Sequence, residues 1–259
     1  MFLIALGFAF ITFAVTLGAA VLGIALRRML PQEHLNRESQ DVIRLGMGLV
    51  ATMTALLLGL VTATAKGSFD SQDVAVRNAA AGILSLDRLL ARYGPETQPA
   101  RAMLKRAVAD RIESIWSNSG TVSAQSAPAL ASQQNPPPAE EVENMILRLQ
   151  PGTTSQRWMQ TEALKLTEEV MRARWRVLGS SGGSVPRMFL VVVIFWLAMT
   201  FGSFGLSAPR NATVVTVFGI ASLSVAAAVF LILELDSPLD GIVKISSGPL
   251  RYALENLGR

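Results

Sequence analysis

The chain has no cysteine, a single histidine and little charge: only 16% of its 259 residues are Asp, Glu, Lys or Arg. Without cysteine there is no disulfide, no thiolate zinc site and no cysteine nucleophile, and the redox compartment is left open. His34 lies between Pro31 and Ser39 with Glu33 and Glu38 nearby, which is too small a ligand set for a metal centre, so it reads as a solvated loop residue. Basic and aromatic residues do not alternate anywhere. The formal net charge of +4 comes from Lys and Arg that flank apolar runs or mix with Asp and Glu, which fits anionic lipid rather than nucleic acid.

Long apolar runs are present instead, and with 51% apolar residues the chain is too hydrophobic for an ordinary soluble domain. They are Phe2 to Leu26, Ile43 to Ala65, Met188 to Leu206 and Thr213 to Leu235. Each is long enough to cross a hydrocarbon core of roughly 30 Å as a helix. Helices and closed barrels are the structures that satisfy their backbone groups in lipid, and these runs lack the period-two alternation of barrel strands. The expected fold is all-α: an integral membrane four-helix bundle with a helical extramembrane domain inserted between spans 2 and 3. The domain limits that follow are 1–67 for a first transmembrane hairpin, 68–187 for the helical domain, and 188–259 for a second hairpin with its tail.

The first run lacks a charged leading segment, exceeds a secretory h-region in length and is closed by Arg27 and Arg28, so it reads as a retained span. Cleavage near Ala19 and Ala20 is the alternative. Arg27, Arg28, Arg37, Arg44 and Arg210 fall in or beside the two short loops, and the positive-inside rule then puts those loops in the cytoplasm, with the termini and central domain outside. Lys66, Arg172, Arg174, Arg176 and Arg187 pull the other way.

Within the central region, Val76, Ile83, Leu86 and Leu90 recur at helical spacing after a possible cap at Asp70 or Ser71, until Gly94 and Pro95 stop the pattern. This helix is expected to continue the second span. A further helix runs from about Pro99 to Trp116. Residues 117–139, rich in Ser, Gln, Ala and Pro, have the composition of a disordered linker. Glu140 to Leu149 and a segment capped by Thr153 or Thr154 follow, the latter with Met159, Ala163, Leu166, Val170, Ala173 and Val177 on a packing seam. Ser180 to Ser184 reads as a flexible joint. Asp87 with Arg88, and Glu168 and Glu169 with Arg172, have the spacing of surface helix charges.

No catalytic, cofactor-binding or metal-binding residue is nominated, and no cofactor is expected. Two groups stand out. Ala51, Ala55, Gly59 and Ala63 repeat every four residues on one face of the second span, a surface for close helix packing within a subunit or between subunits. Lys66, Asp70, Arg187, Glu234, Asp236 and Asp240 gather where the spans end on the domain side, as a charged mouth or as ordinary interfacial anchors. Thr52, Thr54, Thr62 and Thr64 either line a wet path or bond back to their own helix. No ionisable residue sits near the centre of a span, which opposes proton relays, voltage sensors and ion-coupled transport.

Four stretches in order, LPQEHLNRES from Leu30, RLGMGLVATMTALLLGLVTATAKGSFD from Arg44, LDRLLARYGPE from Leu86 and ELDSPLDGIVKISSGPLRYAL from Glu234, resemble the bacterial membrane family of domain of unknown function 4239, labelled bestrophin-like. The resemblance covers nearly the whole chain apart from the Ser, Gln and Pro linker. It implies a multi-pass protein of the bacterial inner membrane, and the bestrophin comparison implies an oligomeric anion channel with its central domain and termini in the cytosol. Bestrophins line their constriction with bulky apolar and aromatic residues of the second span, whereas this one has no aromatic residue there. The expected function is a passive, bestrophin-like ion channel and not an enzyme; its expected partners are the bilayer, ions and further copies of the chain. The alternative is a membrane scaffold or stress-response protein that binds a partner through its helical domain.

Overall fold

The computed structural model describes residues 2–27, 29, 37–117, 138–179, 186–209, 211–238 and 241–259. Among them the regular structure is helical: α1 Phe2–Leu26, α2 Arg37–Tyr93, α3 Gln98–Ile112, α4 Pro138–Leu147, α5 Thr154–Gly179, α6 Arg187–Ser207, α7 Ala212–Leu235 and α8 Gly248–Asn256. A 3-10 turn, Pro95–Thr97, precedes α3, and a π turn, Glu113–Ser117, prolongs it. The expected linker at 117–139 and the joint at 180–184 fall mainly outside the described residues, as do His34, Arg210 and Asp240. The chain divides into two compact units, residues 1–68 with 183–237 and residues 69–182 with 238–259.

Among the described residues four helices are long and apolar enough to cross a membrane: α1, α6 and α7, which lie in the first unit, and α2, which belongs to it up to residue 68. Ala5, Thr12, Thr16, Ala20, Gly23 and Ile24 form the buried ridge of α1, and α1 packs against both α6 and α7. Close approach there depends on glycine. A Cβ built on Gly23 would lie 2.2 Å from the carbonyl oxygen of Gly202, and one on Gly205 would lie 2.1 Å from that of Ala20. Arg27 then ties the helix ends together, its Nη1 donating to the carbonyl of Ala208 at 2.7 Å. Asn211 caps α7 by accepting the amide of Val214 at 2.9 Å. Val61 and Ala65 of α2 are buried against Leu190, Val229 and Ile232.

In the second unit, Val76, Ile83, Leu86 and Leu90 of α2 join Leu104, Val108 and Ile112 of α3, Val142 and Ile146 of α4 and Ala163 of α5 in one core. Asp70 and Ser71, read from sequence as possible caps, instead lie inside α2, which runs on without interruption for 57 residues. It stops where expected: Gly94 has φ 146, a conformation that a side chain would strain. Thr97 secures the corner, its Oγ1 donating to the carbonyls of Leu90 at 2.6 Å and Gly94 at 2.8 Å. Pro99 lies in the first turn of α3, and Thr153 Oγ1 accepts the amide of Gln156 at 3.1 Å as the cap of α5. Gln156 and Gln160 reach other helix ends, donating to the carbonyls of Tyr93, Ile146 and Leu149.

Tyr93 closes α2 with a buried hydroxyl that has no hydrogen-bond partner among the described residues. Burial, with a smaller contribution from Glu96, raises its pKa above the ordinary tyrosine value. Tyr93→Phe is therefore expected to leave stability unchanged or raise it by about 1 kcal/mol, since it removes a desolvated group that gains nothing in return. Above the ordinary tyrosine pKa the unfolded phenol ionises first, so this group's contribution falls as pH rises further. Thermal unfolding of both proteins at neutral and strongly alkaline pH tests this, with the wild type expected to lose more.

Candidate functional site

The apolar stretch of α2 differs from the other spans in how little of it the chain covers: 11% of its residues are buried, against 22–28% in the other three. At about 100° per residue, its side chains sort into three faces. Thr54, Leu58, Val61 and Ala65, spaced four, three and four, turn inward: three are buried and Leu58 is partly buried. Leu45, Leu49, Met53, Leu56 and Leu60 form a second face, exposed by 46–77%, with the bulky apolar surface that lipid favours. The third face is different.

It carries Gly48, Thr52, Ala55, Gly59, Thr62 and Lys66, spaced four, three, four, three and four, and all are exposed. Ala63 lies beside them and is also exposed, while Ala51 is half-buried. A Cβ on Gly48 or Gly59 would meet nothing within 4 Å. Of the packing face read from sequence, the described chain thus leaves Ala55, Gly59 and Ala63 uncovered. The close contact within the chain is made elsewhere, by Gly23, Gly202 and Gly205. Gly202 and Gly205, three apart on the third span, were the sequence signal for it.

The threonines follow the expected default. Thr52, Thr54, Thr62 and Thr64 each donate to the carbonyl four residues earlier, at 2.7–2.9 Å. A hydroxyl so bonded keeps its lone pairs, so Thr52 and Thr62 still present acceptors on the uncovered face. Charges bound the face. Asp41 and Arg44 pair at 3.7 Å at one end, and Lys66 and Asp70, four residues apart, are exposed at the other.

The remaining mouth residues divide. Glu234 is only 2% exposed near the end of α7, so it is a core group of the chain rather than part of an open rim. Asp236 is half-buried at the C-cap of α7. Lys66, Asp70, Glu234 and Asp236 are each engaged by a neighbour. Arg187 opens α6, but its side chain, like Asp240, lies outside the described residues. No group of acidic residues or histidines suited to a metal ion occurs among the described residues.

The second unit corrects one sequence reading. Asp87 is not a surface partner of Arg88; it is 2% exposed and forms a two-point ion pair with Arg101. Glu168 and Arg172 do pair on the surface of α5, as their spacing indicates. Trp116, carried round by the π turn, donates from Nε1 to the carbonyl of Ile245 at 2.9 Å. Sequence periodicity gave no hint of the Asp87 and Trp116 contacts, because their partners lie 14 and 129 residues away in the chain.

The family model of the Bestrophin-like domain matches residues 13–250. The chain belongs to the Bestrophin-like domain family. A crystal structure of a mutant bacterial bestrophin homologue from Klebsiella pneumoniae has a similar fold: TM-score 0.60 at 17% identity, covering 96% of this chain and 97% of that one. At that identity the likeness concerns fold, and this Bestrophin-like chain shares it over essentially its whole length. Comparison with curated proteins gives no match. Family and apolar helices together make it a membrane protein.

Proposed function

We propose that this Bestrophin-like chain assembles with further copies of itself into a passive ion pathway across the bacterial inner membrane, with the third face of α2 turned towards the other copies and the path. The observation that carries this reading is the composition of that face. Lipid favours bulky apolar side chains, as Leu49, Leu56 and Leu60 provide; an uncovered row of Gly, Ala and Thr suits close helix contact or water. The family relation supports the reading through the channel activity that the bestrophin comparison implies. Transport is passive, since no ionisable group lies near a span centre to couple it to a proton or a second ion. No residue is assigned an enzymatic role. The flanking arginines support cytoplasmic short loops, and a reporter fused after Arg259 that works only in the cytoplasm would reverse that orientation.

Purified oligomers in planar bilayers are expected to carry ion-selective currents. Gly59→Phe should cut conductance about tenfold or more by closing a path with an apolar ring, while the open space around Gly59 leaves folding of the chain unaffected. Lys66→Glu should shift the reversal potential towards cations, because it reverses an exposed charge at the end of the same face. Folded oligomers that remain silent in every bilayer would remove the channel reading. A stoichiometric protein partner lost on deletion of the helical domain would replace it with a scaffold.

A further inference from the structure

Residues 257–259 sit in a clamp that reads main chain. Asp87 of α2 and Arg101 of α3 make two parallel bonds, Nε to Oδ1 at 2.7 Å and Nη2 to Oδ2 at 3.0 Å, with side chains only 3% and 10% exposed. The same Oδ2 accepts the amide of Gly258 at 3.1 Å. Arg101 Nη2 also donates to the carbonyl of Arg259 at 3.3 Å, and Lys105 Nζ donates to that of Leu257 at 2.9 Å. Leu257 fills an apolar socket at 1% exposure, and Gly258 adopts φ 85, which favours glycine. One acceptor and two donors thus engage three successive residues through their backbone alone.

Three features make this segment separable. The Asp87–Arg101 pair is complete without it, since both carboxylate oxygens already accept from the guanidinium, so its departure orphans no buried charge. Bonds made by Thr97, Gln156 and Gln160 tie α2, α3, α4 and α5 together without its help. Finally, α8 has only nine residues, too few to persist as a free helix; it turns Leu250 and Ala253 inward and Arg251 and Tyr252 to solvent. The Trp116 bond to Ile245 fixes the chain just before it.

We infer that residues 248–259 form a strap that docks on α2 and α3 as a ligand would, opening and closing while the other helices of the unit stay folded, with Asp87, Arg101 and Lys105 as its receptor. The strap adds Leu250, Ala253 and Leu257 to the core that α2 and α3 share, and its opening would uncover that core.

The absence of native cysteine provides the test. Full-length protein carrying Ala253→Cys, with Leu250→Cys as a second strap reporter, is labelled with a maleimide, and Ala163→Cys on α5 reports the rest of the core. Lys105 is exposed, so Lys105→Ala removes its bond to Leu257 without disturbing the interior. It should speed labelling of both strap reporters about tenfold or more and leave the α5 reporter unchanged. Gly258→Val, acting from the strap side, should do the same. Equal acceleration at strap and core would mean that the unit opens only as a whole, and no acceleration at the strap would mean that the clamp does not hold it; either result overturns the inference.

Discussion

Replacing Gly205 by leucine is expected to leave no folded bundle to purify. Even the first carbon of the new side chain would lie 2.1 Å from the carbonyl oxygen of Ala20, 3.0 Å from its carbon and 3.2 Å from its Cα, all backbone atoms of α1. A flexible side chain can swing aside, but a helix backbone must translate. Moving α1 outwards would forfeit its packing along the ridge that meets both α6 and α7. Overpacking in cores costs about 1–3 kcal/mol where neighbours can relax, and more where they cannot. Gly205→Ala should therefore already lower the unfolding temperature in detergent, and Gly205→Leu should abolish the monodisperse peak in size exclusion. Gly23→Leu should match it, with its Cβ 2.2 Å from the carbonyl oxygen of Gly202. Gly7→Leu, in open space on the same helix, should purify normally; if it fails as well, tight contact at Gly205 is not the cause.

Asp87→Ala should destabilise the helical unit by about 3–5 kcal/mol, the usual cost of leaving one member of a buried pair uncompensated. The substitution strands the Arg101 guanidinium, whose side chain is 10% exposed, and removes the acceptor for the amide of Gly258. Replacing both members, Asp87→Leu with Arg101→Met, should cost markedly less, because no charge is then left buried. The hydrogen bond to Asp87 raises the Arg101 pKa above its already high ordinary value. The arginine side of the pair therefore contributes through neutral and alkaline pH, and its contribution is lost only as the guanidinium deprotonates. Chemical denaturation followed by circular dichroism would measure the single and double variants. A single variant as stable as the wild type would show that the pair is not held as described.

The apolar runs marked where the helices of the first unit lie, because lipid imposes one requirement on every position of a helix, although the second run is only part of the 57-residue α2. As helices, α1 covers Phe2–Leu26, the same residues as the first run, and α6 and α7 extend one residue beyond the third and fourth runs at an end where they differ. Local chemistry was equally readable at Gly94, Pro99 and Thr153, whose backbone preferences act within a few residues. Asp70 and Ser71 misled because capping residues also occur within helices, where the preceding turn already supplies hydrogen bonds. The Asp87 pair was hidden for a different reason: its partner is 14 residues away, across the corner at Gly94, and Gly258 is 171 away. The tail from Pro238, assigned by order to the last hairpin, has its contacts in the second unit for the same reason. For the small-residue row, sequence gave the face but not what it meets.

The unbroken length of α2 has a mechanical consequence. From Leu45 to Lys66 it contains neither proline nor a Gly/Ser pair, and its hydrogen-bonded ladder is unbroken, so this apolar stretch turns as one piece. Such a rod carries torsion. A rotation imposed about its axis near Leu45 would reappear near Gly59, about 21 Å along the rod, as a change in which side chains a neighbouring surface meets. With the three faces about a third of a turn apart, a rotation of about 100° would replace glycine by leucine at a fixed point beside the helix.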